Sequence, residues 1–100
     1  MIRITKTQAR PNMLTPFFAP TDDAVKTYFY NKFIKTKKFS PISRMLSEDG
    51  LMLTSVSEWV SVEDYLDLLT DEYCHINMLV TAKKYNAENN IVLKITVEEI

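Results

Sequence analysis

His75 is the one histidine of this 100-residue chain. It is also the one side chain whose ordinary pKa lies near neutrality, so a general base working at pH 7 is sought there first. Beside a helix end, the same residue also serves as an exposed cap. Cys74, the single cysteine, has no sequence neighbour that would mark an activated thiolate, and it reads as a small buried apolar residue. One cysteine excludes an intrachain disulfide and any Cys-rich zinc or iron–sulfur site. Nothing has the spacing of a metal site, a phosphate loop or a nucleophile triad, so neither metal nor cofactor is expected.

The aromatic set Phe17, Phe18, Tyr28, Phe29, Tyr30, Phe33, Tyr65 and Tyr73 is dense for so short a chain. Most of it must be core, but such a set can also line an apolar pocket in which a tyrosine hydroxyl orients a ligand. Ser55 and Ser57 share alternation parity with Leu51, Leu53 and Trp59. They put small hydroxyl side chains on a face otherwise suited to packing under helices, leaving room for a ligand or for a bulky helix residue. The net charge of −1 offers no general attraction to nucleic acid or an anionic membrane. Lys32, Lys35, Lys37, Lys38 and Arg44 form a basic cluster that reads as a solvated helix end. Glu58, Glu63, Asp64, Asp67, Asp71 and Glu72 read as a solvated acidic face.

These residues need elements to hold them. Ile2 to Ala9 alternates apolar with polar residues and predicts a first strand. Arg10 to Pro20 carries three prolines and predicts a loop, whose Phe17-Phe18 pair is too apolar to leave in water. Thr21 or Asp22 can cap a first helix from Asp23 to about Lys37, with Val25, Tyr28, Phe29 and Phe33 on one face. Pro41 resets the chain to extended geometry, Ile42 to Leu46 predicts a short second strand, and Ser47-Glu48-Asp49-Gly50 predicts a hairpin turn. Leu51 to Trp59 predicts a third strand. Ser61 supplies an N-cap oxygen, Asp64 sits in the reciprocal position of a capping box, and Val60 and Tyr65 fit a hydrophobic staple. A second helix therefore runs from Val62 to about Tyr73. Cys74 to Tyr85 fits a helix on Ile76, Leu79, Val80 and Lys83 as well as a strand on Ile76, Met78, Val80 and Ala82, and the helix is preferred. Ile91 to Val97 predicts a last strand.

The order of elements is the split, ferredoxin-like α+β arrangement in a single domain over 1–100, with two main helices on one face of a four-stranded antiparallel sheet. The other face is left bare. Met52, Thr54 and Val56 of the third strand and Val92, Lys94 and Thr96 of the last give it a mixed character suited to a moderately apolar interface. A chain of this size buries only about two-thirds of its unfolded surface, so a second copy would hide that face well. No apolar run is long enough for a signal peptide or a membrane span, which makes a cytoplasmic location the expectation.

The strand ending in Trp59, then Ser61, the acidic Glu63 and Asp64, Tyr65 and a helix resembles the antibiotic biosynthesis monooxygenase-like family of dimeric α+β barrels. That resemblance implies a homodimer formed by sheets packed face to face, and a small apolar or aromatic ligand bound between sheet and helices. Some such proteins oxygenate their ligands without metal or flavin, and others isomerise them or have no known activity. The haem-degrading branch implies an Asn on the first strand and a Trp where this chain has Leu68, so its pattern is missing. On this reading the ligand-binding residues are Phe17, Phe18, Phe29, Phe33, Ser55, Ser57, Trp59 and Tyr65, with His75 as the acid–base group. The competing reading is a homodimeric interaction protein with no small-molecule ligand.

Overall fold

A computed structural model describes residues 1–100. Strand β1 (Ile2–Ala9) takes the centre of a sheet ordered β2-β3-β1-β4, with β2 (Phe39–Leu46), β3 (Met52–Trp59) and β4 (Val92–Glu99). All pairings are antiparallel. The register sets Ile2 opposite Trp59, Ile4 opposite Ser57, Lys6 opposite Ser55 and Gln8 opposite Leu53. Directly opposed residues share a face, so these eight side chains, joined by Leu93, Ile95 and Val97 of β4, form the side that the helices cover.

The helical layer differs from the expected pair. Helix α1 (Asp23–Phe29) widens into a π-helical segment over Tyr30–Ile34, and Lys37 at φ 61° turns the chain, so it stops short of Lys37. Asp22 holds the cap position without a side-chain hydrogen bond; its carbonyl oxygen accepts from the Val25 and Lys26 N–H groups instead. Helix α2 (Val62–Thr70) begins where the sequence predicts, with the Asp64 N–H donating to the Ser61 hydroxyl at 3.1 Å. The Asp64 carboxylate meets that hydroxyl at 3.0 Å. The staple does not close over Val60, which is 52% exposed, because Tyr65 packs on Trp59 instead. Asp71 ends α2 and caps α3 (Glu72–Cys74) through the Cys74 N–H at 2.8 Å. A π-helical segment over His75–Val80 continues it into α4 (Thr81–Glu88). The Cys74 to Tyr85 stretch is thus helical, the preferred of its two readings, and forms a third helical rod beside the two main helices.

Strand β2 starts at Phe39, earlier than predicted, and runs through Pro41. It lies at the sheet edge and the register shifts between Pro41 and Ser43; an edge position and a bulge are where a strand tolerates a residue without N–H. The β2–β3 turn closes with Gly50 at φ 73°, where an added Cβ would stand 2.3 Å from Met13 Sδ.

Ile2, Ile4, Phe33, Trp59 and Cys74 form the core, with Tyr28, Phe29, Phe39, Tyr65, Leu68 and Met78 packed around it. This cluster lies at the Trp59 end of the sheet, while Gln8 and Leu53 are buried at the opposite end of the same face. Leu93, Ile95 and Val97 remain half exposed although they face the helices. No helix is long and apolar enough to cross a membrane.

Candidate functional site

Because the helices pack tightly only around Trp59, a groove of about 620 Å³ opens between them and the remaining sheet. Its floor is Ile4 and Lys6 of β1, Ser55, Ser57 and Trp59 of β3, and Ile95 of β4. Phe29 of α1, Tyr65, Leu68 and Leu69 of α2, and Met78 and Leu79 make the helical wall, and Pro41 to Arg44 of β2 the open edge. A second cleft of about 310 Å³ lies between the Phe17 to Thr21 loop, Gln8, Leu93 and the helical residues Asn77 to Asn86. Lys6, Met78 and Leu79 line both.

Ser55, Ser57, Trp59, Phe29 and Tyr65 come together in the larger groove. Trp59 packs against Phe33 with centroids 5.3 Å apart and against Tyr65 at 5.7 Å. Phe33 itself is fully buried behind Trp59 and reaches neither cleft. Phe17 and Phe18 stand in the smaller cleft. The loop carrying them is pinned by the Gln8 amide donating to the Phe17 carbonyl at 3.2 Å, by Arg10 donating to the Thr15 carbonyl at 3.1 Å, and by Arg10 stacking 4.2 Å from the Phe17 ring. The Tyr85 hydroxyl ties α4 to the same loop through the Pro16 carbonyl at 2.7 Å. His75, at the start of the π-helical segment, is exposed and is part of neither cleft wall. Cys74 is completely buried, and burial, with the neighbouring Asp71 carboxylate, pushes its thiol up to about 11. It is therefore a protonated core residue. Burial also raises the Tyr65 phenol, which keeps it a hydrogen-bond donor. No three metal-ligating side chains gather anywhere.

Two residues of the groove were not assigned to a site from the sequence. Lys6 projects into the groove, and Arg44 belongs there rather than with the lysines of the α1 end. The Lys6 ammonium lies 5.4 Å and the Arg44 guanidinium 4.9 Å from the centroid of the Phe18 ring. Burial and, secondarily, the Arg44 charge push the Lys6 ammonium below its ordinary pKa. A signal for Lys6 was present, since it interrupts the parity of Ile2 and Ile4 with a charge. Lys32 of the same basic cluster is paired with Asp71 and Asp67.

This arrangement is a ferredoxin-like α+β fold, and solved structures share that fold. A candidate antibiotic biosynthesis monooxygenase from Deinococcus radiodurans superposes with a TM-score of 0.53 at 13% identity, over 100% of this chain and 92% of that one. A second antibiotic biosynthesis monooxygenase gives 0.53 at 10% identity, over 100% and 98%. A dimeric ferredoxin-like protein from an uncultured marine organism gives 0.53 at 9% identity, over 99% and 94%. No family model and no curated protein matches the sequence. The likeness is one of fold, and it agrees with the resemblance carried by the Trp59 to Tyr65 element.

Proposed function

We propose that the chain binds a small apolar or aromatic molecule in the groove between its sheet and helices. The observation that carries this reading is the groove itself: its volume falls within the range of small-molecule sites, and its walls are mainly apolar with few polar groups. Ser55 and Ser57 keep the floor low, Phe29, Trp59 and Tyr65 supply flat aromatic contact, and Phe17 and Phe18 shape the adjoining cleft. One fold neighbour is described as an antibiotic biosynthesis monooxygenase and another as a candidate one, so oxidation is the first chemistry to test once a ligand is known, with isomerisation as the alternative. His75 would take part only if a substrate reached beyond the groove.

Ser57→Leu tests the reading. The added isobutyl group occupies the groove floor, so native mass spectrometry should find any co-purified small molecule on the wild type and none on the variant. Thermal stability should change little, since the side chain enters open space. Equal loading of both proteins would refute the assignment.

The same reading includes a homodimer formed through the uncovered sheet face. Arg3, Thr5 and Thr7 of β1, Met52, Thr54 and Glu58 of β3, and Val92 and Lys94 of β4 lie there by register, with Val92 69% and Met52 46% exposed. One fold neighbour is described as dimeric. Thr54 lies mid-strand on that face, so Thr54→Lys would bury a charge without a partner in the contact. Light scattering after gel filtration should give a dimer for the wild type and a monomer for the variant; an unchanged mass for the variant would move the interface elsewhere.

A further inference from the structure

We infer that the groove selects organic anions, a carboxylate carried on an aromatic or polycyclic body, with Lys6 and Arg44 as the residues that hold the charge. The inference rests on the groove being a ligand site and adds the charge class of the ligand.

The first ground is an imbalance of charge. Lys6 and Arg44 both line the groove, and no aspartate or glutamate lines it or the adjoining cleft. The chain's ion pairs use Arg3, Lys32, Lys38 and Lys84, and neither of the two groove cations. Their shared neighbour is the Phe18 ring, 5.4 Å from the Lys6 ammonium and 4.9 Å from the Arg44 guanidinium. A ring face attracts a cation but does not neutralise it. An ammonium taken partly out of water without a counter-ion is costly, and Lys and Arg are seldom left so unless something pairs with them.

The second ground is the position of the unpaired polar atoms. Lys6 sits directly opposite Ser55 across the β1–β3 pair. The Ser55 hydroxyl oxygen is buried and has no hydrogen-bond partner. An ammonium and an unsatisfied hydroxyl side by side on the floor offer two donors to one oxyanion, while Arg44 at the exposed edge offers a third group at the mouth. The rest of the wall, Ile4, Phe29, Trp59 and Leu68 among it, suits an apolar body. A free inorganic anion would satisfy the cations but leave these walls wet, which argues for charge and hydrocarbon in one molecule.

The probes are 9-anthracenecarboxylate and 9-anthracenecarboxamide, which share their rings and differ in charge. Fluorescence titration of the wild-type protein should give at least about tenfold tighter binding of the carboxylate, the scale of a charge-assisted hydrogen bond. Lys6→Met should remove most of that preference and leave carboxamide affinity within about twofold, since Met keeps the apolar stem of the lysine. Arg44→Gln, on an exposed edge strand, should reduce carboxylate binding about threefold with the fold untouched, the scale of a partly screened charge. Equal affinities for the two probes, or a preference that survives Lys6→Met, would overturn the inference. If the carboxamide binds and is lost in Ser57→Leu while the carboxylate gains nothing, the groove stands as a site and only the charge assignment falls. If neither probe binds the wild type, the groove reading falls first.

Discussion

Trp59→Ala is expected to lower the unfolding free energy by about 4 kcal/mol, within the usual range for deleting a buried tryptophan. The indole is only 2% exposed. It touches Phe33 at 5.3 Å, Phe39 at 5.0 Å and Tyr65 at 5.7 Å between ring centroids, so one side chain joins β3 to the π-helical segment after α1, to β2 and to α2. With few residues buried, little else can close the gap, and the rings left behind lose both contact and shielding. For a domain of this length, such a loss corresponds to a fall in Tm of roughly 15–30 °C. Chemical denaturation followed by circular dichroism measures it directly, with Trp59→Phe as the conservative control. A loss below about 1 kcal/mol, the scale of a surface substitution, would show that the core is not organised around this residue.

The second large effect belongs to Asp71. Its side chain is 7% exposed and accepts hydrogen bonds from the Cys74 N–H at 2.8 Å, from the Tyr28 hydroxyl at 2.8 Å, and from the Lys32 ammonium. Burial by itself would raise its pKa. The Lys32, Cys74 and Tyr28 donors outweigh burial and hold the carboxyl well below the ordinary 3.8. A carboxylate whose pKa is depressed on folding contributes stability that is present above its unfolded value and is lost as pH falls toward the folded one. The contribution is therefore complete above about pH 5 and declines below about pH 4, the unfolded aspartate value. Lys32 gains from the same contact: the hydrogen bond to Asp71 raises its pKa above 10.5, so its share is present below that value and fades at more alkaline pH.

Asp71→Ala removes the cap of α3, strands the Tyr28 hydroxyl and leaves Lys32 only the longer contact to Asp67 at 3.7 Å. Lys32 is 31% exposed, so water screens part of the loss, and about 2–3 kcal/mol is expected rather than the full cost of breaking a buried pair. Denaturation at pH 7 and at pH 3 separates the charge from the packing. The wild type should lose more stability than Asp71→Ala between the two, narrowing the gap. A gap of equal size at both pH values would mean that the carboxylate charge contributes nothing.

Much of this architecture is legible along the chain. The alternation of Ile2 to Ala9 and of Leu51 to Trp59 identifies both central strands and the face each turns to the helices, because a strand reports its sidedness at every second residue. Ser61 marks the start of α2 for an equally local reason: its hydroxyl meets an N–H three residues on. The Ser47 to Gly50 turn is readable because Gly50 takes a positive φ that glycine adopts freely. From these short-range signals came the ferredoxin-like order and the placing of Ser55, Ser57 and Trp59 under the helices.

Other features rest on contacts that no short window contains. Ile76 to Ala82 fits two periodicities, and it is the buried Asp71 carboxylate, held by Tyr28 and Lys32 from α1 and the segment following it, that starts a helix at Glu72. Pro41 lies within β2 because that strand falls at the sheet edge, a position set by the whole pairing order. His75 draws attention by its chemistry, yet helix rotation turns it to solvent. Lys6, Phe18 and Arg44 are distant in sequence and belong to a strand, a loop and an edge strand. Local pattern determined the sheet, its inward face and the cap of α2, because backbone geometry repeats over two to four residues. Tertiary structure decided where the helices leave the sheet uncovered and which charges meet there, because packing and register, rather than sequence proximity, bring residues from separate elements within reach.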